Sequence, residues 1–163
     1  MLTIYKASAG SGKTYTLAYE YVRMLLGVKL DDGAYRLNAA RYIGGNVKSS
    51  RHRNILAITF TNKATEEMKS RIVDELSSLA ADHSDGSKDC PYAKGLIKEY
   101  GCTREELREV AEKALRSLLF DYHHFNVSTI DSFFQTVLRA FAREVDRQGD
   151  YGVEIDDRYA VKA

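Results

Sequence analysis

The stretch Ala7-Ser8-Ala9-Gly10-Ser11-Gly12-Lys13-Thr14 decides the fold, because it lies between a predicted strand and a predicted helix. The apolar, β-branched run Leu2–Tyr5 predicts the strand, and residues 15–26 have the apolar spacing of a helix. A glycine-rich loop in this position is typical of a phosphate-binding loop, whose backbone N–H groups and helix N-terminus attract a di- or triphosphate. Ala7 stands where the strict pattern has glycine, but the later positions are in register.

The residues of this loop have distinct expected roles. Backbone N–H groups that surround the phosphates are expected from four consecutive residues, namely Ala9, Gly10, Ser11 and Gly12. Lys13 is expected to contact the β- and γ-phosphates, and the Thr14 hydroxyl is expected to bind Mg²⁺. The loop therefore predicts a nucleotide site, and a glycine-rich turn that carries Gly-Lys-Thr by chance is the alternative.

Composition describes a soluble globular chain of about one domain. Of its 163 residues, 44% are hydrophobic and 29% are charged, and there is no apolar run of the roughly 18 residues that a membrane span needs. The N-terminus leads directly into the first predicted strand without a secretory signal, so we expect a cytoplasmic protein with two reduced thiols, Cys90 and Cys102. The pair His123-His124 has no second ligand cluster near it in sequence, which favours a role other than metal binding.

The charges are unevenly distributed, although the net charge is only +1. Residues 33–65 contain no acidic residue, and they carry six basic residues: Arg36, Arg41, Lys48, Arg51, Arg53 and Lys63. Residues 144–157 are acidic. The basic segment is interpreted either as a footprint for a phosphate backbone or as a solvated loop.

The first half of the chain continues with a helix, a long loop, a strand and a second helix. The first helix has an apolar face of Leu17, Ala18, Tyr21, Val22 and Leu25. We expect Gly27 to end that helix and residues 28–53 to form a long loop or insertion, with a short helix near 38–42. The continuous apolar run 55–60 predicts a strand buried on both faces of a parallel sheet. The next helix, capped by Asn62, has an apolar stripe of Met68, Ile72, Leu76 and Leu79.

The second half of the chain adds two long helices and a third strand. One short helix is expected within residues 82–103, and a capping box at 103–106 opens a helix. The stripe of that helix is Leu107, Val110, Ala114, Leu118 and Leu119. Residues 125–130 predict a strand, and the final helix has one face of Phe134, Val137, Leu138, Phe141 and Val145.

This order of elements predicts an α/β fold in which helices flank a parallel sheet. In such sheets the ligand site lies at the carboxyl ends of the strands. Three loops follow predicted strands, at residues 7–14, 59–63 and 129–132. We therefore expect the functional residues in these loops.

The same three loops resemble motifs I, Ia and Ic of superfamily 1 DNA helicases, in the form found in the UvrD/Rep and RecB/AddA branch. The matching residues are the first loop, then Ile58-Thr59-Phe60-Thr61-Asn62-Lys63-Ala64 with Glu67-Met68, and then Val127-Ser128-Thr129-Ile130-Asp131-Ser132-Phe133-Phe134. The matches extend from Ala7 to Phe134, which is most of the chain. The resemblance implies an incomplete RecA-like P-loop NTPase domain that uses ATP and Mg²⁺.

The resemblance also implies a set of contacts with single-stranded DNA. The residues in the matching positions are Thr59, Phe60, Thr61 and Asn62, with Thr129 as a further contact. Phe60 suits stacking on a base, although it would equally close the core at the end of the strand, and Asn62 would equally serve as a helix cap. Many relatives have histidine in the position of Asp131, and a carboxylate there suits a cap of the next helix better than a contact with DNA.

Several motifs of the family do not occur in this sequence. No apolar strand ending in Asp-Glu follows Phe134, so we expect residues 1–148 to be the first part of a motor domain and residues 149–163 to begin the next segment. The expected parent is an ATP-dependent DNA helicase of repair or recombination that has no membrane association and whose partner would be a nuclease or a second helicase subunit. This piece by itself is not expected to be catalytically competent. The alternatives are another phosphate-loop enzyme, such as a small kinase, and a non-catalytic nucleic-acid-binding module.

Overall fold

Helices dominate the structure, a computed structural model that describes residues 12–38, 51–82 and 89–144. Within these ranges the helices are α1 (Lys13–Leu26), α2 (Asn62–Ala80), α3 (Ala93–Tyr100), α4 (Arg104–Phe120) and α5 (Ile130–Glu144). The strands are β1 (Gly27–Lys29), β2 (Tyr35–Leu37), β3 (Ala57–Thr59) and β4 (Val127–Thr129), and two 3₁₀ turns span Arg51–Asn54 and Tyr122–His124. The chain divides into two units at 129/130, so α5 is described by itself. None of the described helices is long and apolar enough to cross a membrane.

The core forms where α2 packs against α4 and α1. All four residues of the predicted α2 stripe are buried, and so are the predicted residues of α4 except Leu119. In α1, Leu26 is buried in addition to the predicted residues, whereas Leu17 is exposed. Leu17 and Leu119 were wrong predictions, because each lies roughly 100° around its helix from the middle of the buried stripe.

Threonine side chains cap two of the helices. Thr103 Oγ1 accepts a hydrogen bond from the Glu106 N–H at 3.2 Å, and the Glu106 carboxylate accepts one from the Thr103 N–H at 2.8 Å. This confirms the predicted capping box of α4. The predicted cap of α2 was wrong by one residue, because Thr61 holds the cap position and accepts from the Ala64 N–H at 3.1 Å, while Asn62 is the first residue of the helix.

Strands β3 and β4 pair in parallel, which confirms the predicted α/β fold. Ala57 lies opposite Val127, and Thr59 lies opposite Thr129. The expected burial on both faces of β3 is wrong, since Ile58 is 42% exposed. Among the described residues the parallel sheet has only these two strands, and α2 packs against both of them. The other face of β3 therefore remains accessible to solvent.

A β-hairpin replaces the first part of the loop expected at residues 28–53. Strands β1 and β2 pair antiparallel, with Gly27 opposite Leu37. Gly27 ends α1, as predicted, and also begins β1. A Cβ atom at this position would lie 2.6 Å from Cε1 of Tyr100, so a side chain does not fit there. The short helix expected near 38–42 lies outside the described residues apart from its first position, and so does the strand predicted at residues 2–5.

An ion-pair network centred on Asp121 joins the start of β3 to the end of α4. The Arg53 guanidinium donates to both carboxylate oxygens, at 2.5 and 2.9 Å, and the ring nitrogens of His52 and His124 lie 3.0 and 2.7 Å from them. The hydrogen bonds from Arg53, followed by the one from His124, lower the pKa of Asp121 well below its usual range. The network therefore links segments almost 70 residues apart in the sequence.

The fold places Asp121 beside the pair His123-His124, a ligand that the sequence did not place near them. One donor atom from each of these three residues lies within 4.8 Å of the others. Arg53, however, already occupies both oxygens of the carboxylate. The cluster is consequently better explained as part of the ion-pair network than as a metal site.

Replacing Asp121 with asparagine should flatten the dependence of stability on pH under acidic conditions. A carboxylate with a lowered pKa in the folded state stabilises the protein above its unfolded pKa of about 3.9, and this contribution is lost as the pH falls below that value. Urea unfolding of Asp121→Asn from pH 6 to pH 2 should therefore show a lower free energy near neutral pH and a shallower acid decline. Asp74→Asn, at an exposed carboxylate of α2, is the control, and an equal flattening in the control would contradict the prediction.

Replacing Leu76 with alanine should lower the free energy of unfolding by about 2–5 kcal/mol, because it removes a fully buried side chain from the centre of the α2 stripe. Chemical denaturation gives this value directly. Ser77→Ala, one position further along α2 and exposed, is the matched control and should change stability by no more than about 0.5 kcal/mol. Similar losses for both variants would show that α2 does not carry the core.

Candidate functional site

The start of α1 has the backbone that an anion site requires. Gly12 precedes the helix with φ 79° and ψ 19°, a left-handed conformation that favours glycine. No side chain of the described residues caps this helix end. The N–H groups of the first turn and the positive end of the helix dipole therefore suit a bound anion.

The described part of the phosphate loop consists of Gly12, Lys13 and Thr14. Lys13 is exposed, and Thr14 is half-buried. The other predicted members of the loop, Ala9, Gly10 and Ser11, lie outside the described residues. The structure thus supports the predicted conformation at the end of the loop and does not address its beginning.

Thr14 lines a cavity of about 440 Å³ between the start of α1 and the middle of α2. The residues that α2 contributes to this cavity are Glu67, Ser70, Arg71, Asp74 and Glu75. Three of them are carboxylates, which repel phosphate groups and attract hard cations. The surroundings of the Thr14 hydroxyl therefore fit Mg²⁺ better than they fit a phosphate oxygen.

Hydroxyl groups hold the turn between β3 and α2 in place. Thr59 Oγ1 and Thr65 Oγ1 lie 2.6 Å apart and share a hydrogen bond. Thr65 Oγ1 also donates to the Thr61 carbonyl at 3.2 Å, and Thr61 Oγ1 caps the helix. The side chains of Thr59 and Thr61, both predicted DNA contacts, are thus engaged in shaping the turn.

Phe60 projects from this turn into solvent. It is 87% exposed, so the alternative in which it closes the core is wrong. Lys63 is exposed nearby on the first turn of α2, and its ammonium group lies 4.0 Å from Glu67. An exposed aromatic ring with a cationic side chain three residues away is the combination that binds single-stranded nucleic acids by stacking and charge.

The structure brings the ends of β3 and β4 together as the sequence predicted. Thr59 and Thr129 are partners in the parallel register, and Thr14 shares its cavity with Glu67 of α2. Asp131 lies in the first turn of α5 and not at its cap, so the predicted capping role is wrong. An acidic residue in the first turn still interacts favourably with the helix dipole.

Sequence reasoning missed two features of this region. The first is Thr65, which is buried and bonded to Thr59, and its spacing of four residues from Thr61 was the available signal. The second is the pairing of Arg53 with Asp121, which removes one cation from the proposed basic footprint. Arg36 is exposed on β2, whereas Arg41 and Lys48 lie outside the described residues.

The thiols and tyrosines near the site are not reactive groups. Cys90 and Cys102 are unpaired, and burial raises the pKa of the Cys90 thiol to about 12. Burial, followed by the charge of Glu99, likewise raises the pKa of Tyr19 to about 12. These side chains remain protonated near neutral pH and act as hydrogen-bond donors rather than as nucleophiles.

Comparison with known proteins gives one family and several relatives. Residues 2–160 match the family described as the UvrD/REP helicase N-terminal domain. The chain is 31% identical over 144 residues to the RecBCD enzyme subunit RecB of Escherichia coli, covering 85% of this chain and 10% of that protein. It is 28% identical over 138 residues to RecB of Buchnera aphidicola, covering 85% and 10% of the two chains.

A relative with a different description is an ATP-dependent helicase/nuclease subunit of Lactobacillus johnsonii. The identity is 29% over 154 residues, which cover 94% of this chain and 9% of that protein. The chain thus spans about a tenth of the length of these relatives.

Proposed function

The chain belongs to the UvrD/REP helicase N-terminal domain family, and from this premise we propose that it is the ATP- and single-stranded-DNA-binding part of an ATP-dependent DNA helicase of repair or recombination. The observation that carries the proposal is the turn after β3, where hydroxyl contacts fix the backbone and Phe60 is left 87% exposed. An aromatic ring held in this way has little packing role in the described structure. It is suited to stacking on a base.

In the proposed nucleotide site, the backbone of Ala9, Gly10, Ser11 and Gly12 surrounds the phosphates of ATP. Lys13 contacts the β- and γ-phosphates, and Thr14 binds Mg²⁺. The uncapped start of α1 and the carboxylates around Thr14 support these assignments. Bound Mg²⁺ would neutralise charge on the phosphates during phosphoryl transfer.

In the proposed DNA site, Phe60 stacks on a base while Asn62 and Thr129 contact the strand from the ends of α2 and β4. Thr59 and Thr61 contribute mainly through the turn that their hydroxyls hold. Lys63 adds a positive charge near the phosphates. The parallel register that places Thr59 opposite Thr129 supports a single DNA site built from both strand ends.

We propose that ATP hydrolysis requires groups outside this chain, and that the chain alone binds both ligands without turnover. The relatives are described as a subunit of the RecBCD enzyme and as a helicase/nuclease subunit, so a nuclease or a second helicase subunit is the proposed partner. A cytoplasmic location is also proposed, and the free thiols Cys90 and Cys102 support it.

Replacing Lys13 with alanine should weaken ATP binding by at least about tenfold, because a charged hydrogen bond is worth roughly 1.5–3 kcal/mol. Titration with a fluorescent ATP analogue in the presence of Mg²⁺ measures the effect. Lys29→Ala, at an exposed lysine on β1, is the control and should bind like the unmodified chain. If the unmodified chain does not bind ATP, or if Lys13→Ala binds it equally well, the nucleotide site is wrong.

Replacing Phe60 with alanine should weaken binding of single-stranded DNA by about 1–3 kcal/mol, the usual contribution of one stacked base. Fluorescence anisotropy with a labelled oligothymidylate measures it. Phe120→Ala is the matched control, because Phe120 is 92% exposed at the end of α4 and outside the helicase motifs. Equal losses in the two variants would indicate non-specific adhesion, whereas ATP binding without any DNA binding would favour a kinase-like enzyme.

A further inference from the structure

Two tyrosines fasten α3 to opposite ends of α1. Tyr92 immediately precedes α3, and its hydroxyl donates to the backbone carbonyl of Tyr15 at 3.0 Å. Tyr100 ends α3, and its hydroxyl donates to the carbonyl of Arg23 at 2.7 Å. The first contact is one residue away from Thr14, whereas the second lies in the last turn of α1.

The Tyr92 side chain is held rigidly at this position. It is fully buried, and its ring packs edge-to-face against Tyr15 and Tyr19, at centroid distances of 4.8 and 5.3 Å. Burial raises the pKa of the Tyr92 hydroxyl. The hydroxyl therefore stays protonated and available as a donor across the physiological range of pH.

The residues just before α3 also contact the far wall of the cavity that Thr14 lines. The Tyr92 N–H donates to Cys90 Sγ at 3.4 Å, and the Cys90 thiol donates to the Glu75 carboxylate at 3.1 Å. Glu75 belongs to α2 and lines that cavity together with Thr14. Residues 90–92 are thus bonded to both helices that form the cavity.

The first turn of α1 needs such a contact. Helix ends fray unless their backbone groups are held, and no side chain of the described residues caps this end. A helix turn that is already ordered before a ligand arrives does not have to be ordered at the expense of affinity. The Tyr92 hydroxyl therefore acts at the end of α1 where order matters for phosphate binding.

We infer that Tyr92 is a positioning residue for the nucleotide site, which fixes the first turn of α1, and with it Lys13 and Thr14, through the Tyr15 carbonyl. This inference rests on the proposed function of the loop. It assigns to the segment before α3 a role in ATP affinity that the helicase motifs do not contain. Tyr92 itself does not contact the nucleotide.

The test compares Tyr92→Phe with Tyr100→Phe, since each substitution removes one buried hydroxyl donor and keeps the ring. Tyr92→Phe should raise the dissociation constant of Mg·ATP about three- to tenfold, as expected for the loss of one hydrogen bond that orders the site. Tyr100→Phe should leave that constant unchanged, although both variants are expected to lower the urea midpoint of unfolding to a similar extent. A purely structural role of Tyr92 would not separate the two variants.

The inference is overturned if both variants bind Mg·ATP with the same affinity as each other. Loss of ATP binding in Lys13→Ala, measured in parallel, shows whether the loop binds nucleotide at all, so failure of the proposed function is distinguished from failure of this inference. If Tyr92→Phe does not fold, hydrogen exchange of residues 15–19 in the unmodified chain decides. Protection that is already high without ATP supports the inference, and protection that arises only with ATP overturns it.

Discussion

The apolar stripe of α2 is the constraint on which the rest of the structure depends. Met68, Ile72, Leu76 and Leu79 lie on one face and are all buried, and an amphipathic helix is stable in water only when this face is covered. Helices α1 and α4 cover it, so their positions are set by the same surface. Because α2 begins directly after Phe60, the packing that orients the helix also fixes where the end of β3 and its turn are presented.

Different polar contacts hold the two ends of β3. At its start, Arg53 and His52 are bonded to Asp121, which belongs to the turn before β4. At its end, the hydroxyls of Thr59, Thr61 and Thr65 close the turn. A short strand fixed at both ends has little freedom to lose when a ligand binds, and this favours a strand end as a binding surface.

Local patterns predicted much of the fold, and long-range pairings escaped prediction. The stripes of α2 and α4 and the capping box at Thr103 depend on spacings of three and four residues, which a sequence displays directly. The hairpin β1–β2 was missed because strands of three residues are too short to show alternation. The choice of Thr61 over Asn62 as cap depends on where β3 ends, since both residue types cap helices well. The partners of Asp121 are 68 and 69 residues away in sequence, a separation that no local pattern reveals. In the site, the loop and the strand ends were predicted, whereas the bond from Tyr92 to α1 required the fold.

The junction at Gly27 determines where this part of the chain can change in length. Helix α1 passes into β1 without a connecting loop, and the backbone there is pressed against the ring of Tyr100. The tip of the hairpin is exposed by contrast and closes on itself, with Leu30 N–H bonded to the Ala34 carbonyl and the Asp32 carboxylate bonded to the Ala34 N–H. Insertions are accommodated at such a tip and excluded at such a junction. Homologous chains should therefore vary in length at the tip of this hairpin, while the helix after the phosphate loop keeps a constant number of turns.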